Sequence, residues 1–169
     1  FRDINFSIKN HKDHSQVSIE NYEKFLIEKF SELSSYRNRI VIDCANGSLS
    51  QIAPKIFGKL GLNFIKYACE PNGKNINKNC GATFSDRLSK LTLSTDSAVG
   101  ISFDGDADRV LFSDENGDII DGDYILAILS KDLKLNNLLE NNLVVTTKMA
   151  NLGLRHYLDE NNINYLLSN

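Results

Sequence analysis

Short apolar runs alternate with stretches of helical periodicity along most of this chain. Runs of about four to eight residues between polar turn residues predict strands, whereas apolar residues three or four positions apart predict amphipathic helices. The strand predictions cover, in chain order, residues 39–44, 63–69, 98–103, 110–112, 119–120, 143–147 and 163–167. Helical segments lie between most of these strands, and this alternation predicts an α/β fold.

The predicted helices carry signals at their ends. Ser18 is the predicted N-cap of the first helix, whose apolar face we expect to pack on the sheet. That face consists of Tyr22, Phe25, Leu26, Phe30 and Leu33. Gly61 suits a left-handed C-cap after the second helix, and Thr83 with Asp86 has the spacing of a capping box before the third.

The region after the third helix combines a turn with two aspartates that we interpret as structural. Residues 114–117 predict the turn of a β-hairpin. Asp121 is placed to cap the next helix, and Asp123 lies in the first turn, where the helix dipole favours negative charge. For Lys148 and His156, which could face a phosphate, exposure to solvent is the favoured interpretation.

Composition narrows the classes of function. The chain has 169 residues, of which 41% are hydrophobic, enough for a compact core. Its net charge of −3 gives no electrostatic reason to bind nucleic acid or an anionic membrane, and no apolar run approaches the roughly 18 residues of a membrane-spanning helix. Three cysteines without zinc-ligand spacing indicate reduced thiols in a cytosolic protein. They are Cys44, Cys69 and Cys80.

The strongest chemical signal lies in residues 102–110. Asp104, Asp106 and Asp108 occupy alternate positions, so their carboxylates can converge on one hard cation. Crowded carboxylates repel one another, and Mg²⁺ together with the Arg109 guanidinium would bring the formal charge to zero. Arginine suits bidentate contact with phosphate, and Mg²⁺ usually keeps positions for phosphate oxygens. The segment therefore predicts a Mg²⁺ site held against a phosphoryl group.

Two other interpretations of this acidic segment are less favoured. A solvated Asp-Gly turn would explain only two of the three aspartates. A calcium-binding EF-hand would place carboxylates at Asp104, Asp106 and Asp108 and its last ligand at Glu115. However, Arg109 stands where the EF-hand requires glycine, and the flanking sequences predict strands rather than helices.

Residues 101–109, followed by 121–123, resemble the metal-binding segment of the α-D-phosphohexomutases, the family of phosphoglucomutases, phosphomannomutases and phosphoglucosamine mutases. Three other segments agree with the family in order and spacing. Residues 41–47 resemble the opening strand and turn of its second domain, and 149–154 resemble the start of a helix in its third. Residues 70–82 are similar to a loop of the bacterial phosphoglucosamine mutases, although this loop could equally be a surface connection.

The resemblance implies a mixed sheet flanked by helices, followed by an incomplete second α/β domain. Residues 1–17 would be a linker from an absent first domain, 18–121 the metal-binding domain, and 122–169 the start of the next domain. His11 and His14 fall in this linker, where a solvated segment is favoured over metal binding.

The resemblance also implies an activity. Mg²⁺ on the three aspartates would act as a Lewis acid on the phosphate of a serine, and Arg109 would contact that phosphate or the reacting hydroxyl. The intact enzyme would interconvert glucosamine 6-phosphate and glucosamine 1-phosphate through a phosphoserine and a bisphosphate, supplying UDP-N-acetylglucosamine for the cell wall. We expect a hexosamine phosphate substrate, the remaining mutase domains as partners and a cytoplasmic location. The intact enzyme could form a homodimer.

Several parts of the family pattern do not occur in these residues. The Ser-His-Asn-Pro setting of the nucleophile, the sugar-reading loop and the phosphate-gripping domain are absent, so we expect an enzyme fragment without turnover of its own. Ala107 stands where many members have glycine, yet its small size leads us to expect metal binding. A phosphomannomutase/phosphoglucomutase and a non-catalytic cation-binding α/β module remain open, because the acidic segment does not select the sugar.

Overall fold

The computed structural model describes residues 15–168, and side chains from residue 18. The five helices are α1 (Ser15–Lys29), α2 (Ile52–Lys59), α3 (Ser85–Ser94), α4 (Gly122–Leu135) and α5 (Leu152–Glu160) within this part of the chain. Its seven strands are β1 (Ile40–Asp43), β2 (Phe64–Tyr67), β3 (Val99–Phe103), β4 (Val110–Asp114), β5 (Ile119–Ile120), β6 (Leu143–Thr147) and β7 (Asn164–Ser168). None of the helices described is long and apolar enough to cross a membrane.

Five of the strands form a mixed sheet, as predicted, in the order β2-β1-β3-β4-β5. Strand β1 is parallel to both β2 and β3, whereas β4 runs antiparallel to β3 and β5 antiparallel to β4. Asp43 at the end of β1 is in register with Tyr67 of β2 and Ser102 of β3. The carboxyl ends of three neighbouring strands therefore meet at one edge, where open α/β sheets place their ligands.

The central position of β1 follows from its composition. All four of its residues are buried, because this short apolar run is covered on both faces. Ile40 and Ile42 form a core with Cys44, which follows β1, and with Ala53 of α2. Helix α3 contributes the fully buried Leu88. A strand covered on both faces reads as a continuous apolar run, which explains why the sequence predicted it well.

A second core forms further along the chain. Strands β6 and β7 are parallel and are connected by α5, which buries Leu154 and Leu158 against Val144 and Ile163. These two strands form a sheet separate from the five-stranded one. The domain boundary between residues 121 and 122 and the incompleteness of the second domain stay predictions.

Two of the predicted helix ends are confirmed, and two are wrong. Asp121 caps α4, because its carboxylate accepts hydrogen bonds from two backbone N–H groups of the first turn, and Gly61 follows α2 with a φ of +70°. The capping box of Thr83 is wrong: Phe84 stands at the N-cap of α3 without a side-chain cap. A turn closed by the hydrogen bond from Phe84 N to Gly81 O precedes this helix and displaces its start. Ser18 does not cap α1, since the helix already begins at Ser15.

The apolar face of α1 does not pack as the sequence predicted. Tyr22 and Phe25 are exposed and Leu26 is half-buried, and α1 packs on α2 instead. Phe30 and Leu33 lie beyond the end of α1 and are exposed as well. The buried residue of this contact is Glu23, whose carboxylate binds two lysines of α2. Residues 15–17, at the end of the predicted linker, belong to α1, and the linker itself stays a prediction. The interpretation of His11 and His14 lies outside the described residues.

Candidate metal centre

The three predicted metal ligands meet in the loop between β3 and β4. Carboxylate oxygens of Asp104, Asp106 and Asp108 all lie within 4.8 Å of one another. The loop is a tight connection between antiparallel strands, and the hydrogen bond from Ala107 N to Asp104 O, 3.2 Å long, folds it on itself. The spacing of the aspartates in the sequence therefore becomes a convergence in space, as predicted. Glu115 lies in the turn between β4 and β5, away from the three aspartates in sequence. Since strands rather than helices flank the acidic loop, it is not an EF-hand.

Arg109 closes the base of this loop. Its backbone N–H donates to Asp104 Oδ1 at 3.1 Å, and its Nε donates to Asp104 Oδ2 at 2.9 Å. The same Nε lies 3.4 Å from Asp108 Oδ1. The Asp104 side chain is only 1% exposed, whereas those of Arg109 and Asp108 are 66% and 69% exposed. Asp104 is thus the anchored carboxylate of the cluster, and Asp106 and Asp108 face solvent.

The electrostatics of the cluster differ between the buried and the exposed carboxylates. Burial acts to raise the pKa of Asp104, but hydrogen bonds from the Arg109 N–H, Asp108 and the guanidinium together hold this pKa below its ordinary value. The neighbouring Asp104 raises the pKa of Asp108, with a further contribution from Asp106. Asp104 is therefore ionised before Asp108, and a cation among the carboxylates would relieve their mutual repulsion.

Ala107 adopts a backbone conformation that few alanines take. Its φ is +64°, in the left-handed region where a Cβ crowds the following carbonyl and where glycine is favoured. This conformation reverses the chain between Asp106 and Asp108 so that both carboxylates stay near Asp104. The expected constraint at this position is present, and the three carboxylates converge in spite of it.

We call the loop between β3 and β4, residues 104–109, the metal loop. A second turn, residues 44–47 after β1, lies directly against it. Ser48 N donates to Gly105 O at 2.9 Å, and a Cβ placed on Gly47 would lie 2.7 Å from Gly105 Cα. That approach is closer than a side chain tolerates, so glycine is required at position 47 for the two backbones to meet. The sequence showed Gly47 only as part of an Asn-Gly turn, and its contact with the metal loop was missed.

Asp43 ties this turn to the loop that precedes α3. Its Oδ1 accepts from Ala45 N at 2.9 Å and its Oδ2 from Gly81 N at 2.8 Å, while the side chain is buried. Burial raises the pKa of Asp43, against which the N–H groups of Gly81 and Ala45 act to lower it. From the sequence, Asp43 was predicted only as a strand residue, although a carboxylate at a strand end before an Asn-Gly turn was a signal for such a bridge.

The Pro-Asn-Gly loop, residues 70–81, also reaches the metal loop. Asn77 N donates to Ala45 O at 2.9 Å, and a Cβ on Gly105 would lie 2.7 Å from Ile76 Cδ1. Asn75 holds the loop together by accepting from Asn72 N at 2.9 Å and donating to Glu70 O at 2.9 Å. This segment is therefore more than a surface connection, because it packs behind the backbone that carries the aspartates.

The remaining candidates do not join the cluster. Asp121 caps α4, and Asp123 accepts a hydrogen bond of 2.8 Å from Asn151 N, which supports the structural interpretation of both. His156 is exposed on α5, and Lys148 is exposed after β6. The structure brings together four of the predicted site residues: Asp104, Asp106, Asp108 and Arg109.

The donor set of this site fits a hard divalent cation. All three groups are carboxylates, the ligand type that Mg²⁺ and Ca²⁺ prefer, and thiol or imidazole donors are lacking among the described residues of the cluster. Two of the three carboxylates face solvent, which leaves room for additional oxygen ligands. Such a site can hold a cation next to a phosphate that approaches from outside.

Comparisons with known proteins agree with this geometry. Residues 19–117 match the family described as phosphoglucomutase/phosphomannomutase, alpha/beta/alpha domain II, and residues 121–169 match domain III of the same family. A phosphoglucosamine mutase of Chlamydia abortus is 46% identical over 130 residues, which cover 77% of this chain and 28% of that protein. One of Dictyoglomus turgidum is 44% identical over 145 residues, covering 85% of this chain and 32% of that protein.

The likeness extends to solved structures. A phosphoglucomutase/phosphomannomutase family protein from Burkholderia thailandensis superimposes with a TM-score of 0.67 at 20% sequence identity, covering 84% of this chain and 32% of that one. This structural likeness supports the α/β fold described above. The chain spans about a third of the length of the curated relatives it matches. The match to domain II covers more than half of this chain, so the chain belongs to the phosphoglucomutase/phosphomannomutase family.

Proposed function

We propose that this chain is the Mg²⁺-binding part of a phosphohexomutase that interconverts glucosamine 6-phosphate and glucosamine 1-phosphate. The observation that carries the proposal is the convergence of Asp104, Asp106 and Asp108 within 4.8 Å beside Arg109. The cluster lies in the β3–β4 loop, at the edge where the carboxyl ends of β1, β2 and β3 meet.

The three aspartates would hold Mg²⁺, which, when bound, supplies Lewis-acid stabilisation of charge on a phosphate. Asp104 would be the fixed ligand, because its orientation is set by two hydrogen bonds from Arg109. Asp106 and Asp108 are exposed and can adjust to the ion. A neutral cluster would also bring an anionic phosphate closer than three uncompensated carboxylates allow.

Arg109 would orient the transferring phosphoryl group. Its Nε is occupied by Asp104, while two thirds of the side chain is exposed, so its terminal guanidinium nitrogens can face a phosphate. In the proposed reaction a phosphoserine of the intact enzyme donates its phosphoryl group to a sugar hydroxyl, which gives a bisphosphate. The serine then takes back the other phosphoryl group, and positioning together with electrostatics supplies most of the catalysis.

The choice of sugar rests on the relatives. The curated proteins that match at about 45% identity are phosphoglucosamine mutases. The Pro-Asn-Gly loop, which resembles that branch, packs against the metal loop through Ile76 and Asn77. The family as a whole also includes phosphoglucomutases and phosphomannomutases, so glucose and mannose phosphates are the competing substrates.

Turnover would require more than these residues. Since the chain spans about a third of its relatives, the nucleophile and the sugar-binding loops would come from the remaining domains of the intact mutase. We expect this chain alone to bind the cation without catalysing the reaction, and we expect the intact enzyme to work in the cytoplasm, where hexosamine phosphates are made.

The test is a Mg²⁺-dependent assay of the full-length parent with glucosamine 6-phosphate, run beside glucose 6-phosphate and mannose 6-phosphate. Asp106→Asn removes one exposed ligand while keeping its size, and we expect a loss of activity of at least about 100-fold, in the range of electrostatic contributions to catalysis. Asp118→Asn is the matched control, because Asp118 is an exposed aspartate outside the cluster. Its activity should equal that of the unmodified enzyme.

Each contrary outcome has a distinct meaning. Preference for a neutral hexose phosphate would replace the proposed substrate but keep the reaction. Equal activity of Asp106→Asn and Asp118→Asn would contradict the metal site. If the parent turned over none of the three sugar phosphates but bound Mg²⁺ through Asp106, the chain would be a non-catalytic cation-binding module.

A further inference from the structure

Two cysteines meet where β1 and β2 end. Cys44 follows β1 directly, and Cys69 lies two residues after β2. Cys44 N donates to Tyr67 O at 3.1 Å, and the Cys69 thiol donates to the same oxygen at 3.2 Å. Strand register pairs Asp43 with Tyr67, so Cys44 and Cys69 lie one and two residues beyond that pair. The shared Tyr67 carbonyl and the common core therefore place the two cysteines next to each other.

Both side chains lie on the same face of the sheet. Cys44 alternates with Ile40 and Ile42 and belongs to their buried core, and Cys69 packs on this same core from its edge. The residue before Cys69, Ala68, has a φ of +48°. This left-handed residue ends β2 and turns Cys69 back over the end of β1.

The two thiols differ in their access to solvent. Cys44 is completely buried, whereas Cys69 is partly exposed. Cys69 lines a polar cavity of about 440 Å³ together with Lys66, Lys78 and Cys80. A small reagent dissolved in water can therefore reach Cys69, while the buried Cys44 does not line this cavity.

The surroundings also separate the two thiols in acidity. Interaction with Cys44 lowers the pKa of Cys69, and the nearby Lys66 adds to this effect against the cost of burial. Interaction with Cys69 and burial both raise the pKa of Cys44. The exposed thiol is thus the more acidic of the two, and thiolate is the nucleophilic form of cysteine.

We propose that Cys69 and Cys44 form a peroxide-reactive pair, in which Cys69 reduces a small hydroperoxide and Cys44 then closes a disulfide. In the first step the Cys69 thiolate attacks one peroxide oxygen, the O–O bond breaks, and the second oxygen leaves as water or an alcohol after taking up a proton. Cys69 becomes a sulfenic acid. In the second step Cys44 sulfur attacks Cys69 sulfur, the S–O bond breaks, and hydroxide leaves as water with the Cys44 proton.

The third cysteine is less well placed for this step. Cys80 is 1% exposed, and its Sγ lies 3.8 Å from Asn46 Nδ2. Asn46 itself is held by Glu70 N, which donates to its side-chain oxygen at 3.0 Å. Cys44 shares the Tyr67 carbonyl with Cys69 and packs in the same core, among whose residues Cys80 is not found, so we assign Cys44 as the resolving residue.

The experiment is peroxide titration of the native chain, followed by alkylation of free thiols and peptide mapping by mass spectrometry. We expect one disulfide, Cys44–Cys69, with Cys80 still alkylated, and the same disulfide in Cys80→Ser. In the presence of a dimedone-type trap the adduct should appear on Cys69. Chain unfolded in urea before oxidation is the reference, in which the three thiols should pair without this preference.

The unmodified chain already gives a decisive result, so the test does not depend on how cysteine variants fold. Reaction of Cys80 before Cys69 would overturn the proposal, as would a sulfenic acid on Cys69 that never advances to a disulfide with Cys44. If the folded chain gave the same mixture of disulfides as the urea-unfolded chain, the proposal would also be overturned, because the fold would then not determine which cysteines pair.

Discussion

Gly47 and Gly105 lie backbone against backbone, with a hydrogen bond of 2.9 Å from Ser48 N to Gly105 O beside their contact. Gly47 belongs to the turn after β1, whereas Gly105 lies inside the metal loop after β3. The position of the three aspartates that we propose as metal ligands thus depends on a turn that contributes none of them. Substitutions in this support should change metal affinity without touching a carboxylate.

The first prediction concerns Gly47→Ala. A Cβ at this position would lie 2.7 Å from Gly105 Cα, closer than real side chains approach backbone atoms, so the metal loop must move. We expect the affinity of the chain for Mg²⁺ to fall at least about tenfold, equivalent to about 1.4 kcal/mol. Isothermal titration calorimetry measures the affinity, and circular dichroism checks that the variant is folded.

Gly58→Ala is the matched control for this substitution. Gly58 lies within α2 and an added Cβ would meet nothing within 4 Å, so metal affinity should not change. The helix should gain about 0.5–1 kcal/mol, because alanine is the better helix former. Equal Mg²⁺ affinity in both folded variants would show that the backbone contact does not position the ligands.

The second prediction is that Asp43→Asn destabilises the fold. The carboxylate accepts two N–H groups, from Ala45 and Gly81, and an amide can accept only through its single oxygen. One buried N–H would then face an NH₂ group, at a cost of about 1–3 kcal/mol. Urea denaturation of Asp43→Asn should show this loss, while Asp159→Asn, on the exposed end of α5, should stay within about 0.5 kcal/mol of the unmodified chain.

The third prediction is a pH dependence that Glu23 contributes to stability. Glu23 Oε2 lies 2.8 Å from Lys55 Nζ and 3.1 Å from Lys59 Nζ, with 3% of its side chain exposed. The Lys55 hydrogen bond lowers the pKa of Glu23 despite burial, and Lys59 adds to this. A lowered pKa in the folded state stabilises the fold above the unfolded value of about 4.3, and this contribution disappears as pH falls through the folded pKa.

Glu23→Gln should therefore be less stable than the unmodified chain at neutral pH, and the difference should shrink as pH falls below about 4.3. Thermal unfolding at several pH values measures this difference. Glu28→Gln removes the pairing of Glu28 with Lys24 on the exposed side of the same helix, and it should have little effect at any pH. A pH-independent difference for Glu23→Gln would mean that shape rather than charge holds Glu23 in place.

Local sequence was enough to predict most strands and the convergence of the three aspartates. Strand β1 is a continuous apolar run, and the three aspartates occupy a single tight loop, so spacing alone decides what meets. The burial of Glu23 could not be predicted in this way, because its partners Lys55 and Lys59 come from another helix. The apolar periodicity of α1 suggested a buried face, but tertiary packing turned the side that carries Glu23 inward and left Tyr22 and Phe25 exposed.

The supporting contacts of the site were also beyond the sequence. Asp43 acts through Gly81, a residue far along the chain, and this bridge decides where the turn before α3 lies. Thr83 lies inside this turn, and α3 begins only at Ser85. Thr83 is therefore not the N-cap, and the predicted capping box does not form. Spacing predicts contacts within a segment, whereas contacts between segments require the register of the sheet.

The fourth prediction is that Ala107→Gly stabilises the chain and leaves Mg²⁺ binding intact. Ala107 has a φ of +64°, a conformation that costs an L-residue about 1–2 kcal/mol and glycine almost nothing. Glycine loses about 0.4–1 kcal/mol through the greater entropy of the unfolded chain, so we expect a net gain of about 0.5 kcal/mol in urea denaturation.

The inverse substitution, Gly61→Ala, tests the same conformation in open space, since Gly61 has a φ of +70° with nothing near its Cβ position. It should destabilise the chain by a similar amount. A loss of stability in Ala107→Gly alongside a loss in Gly61→Ala would show that the Ala107 methyl group makes contacts that outweigh its backbone strain.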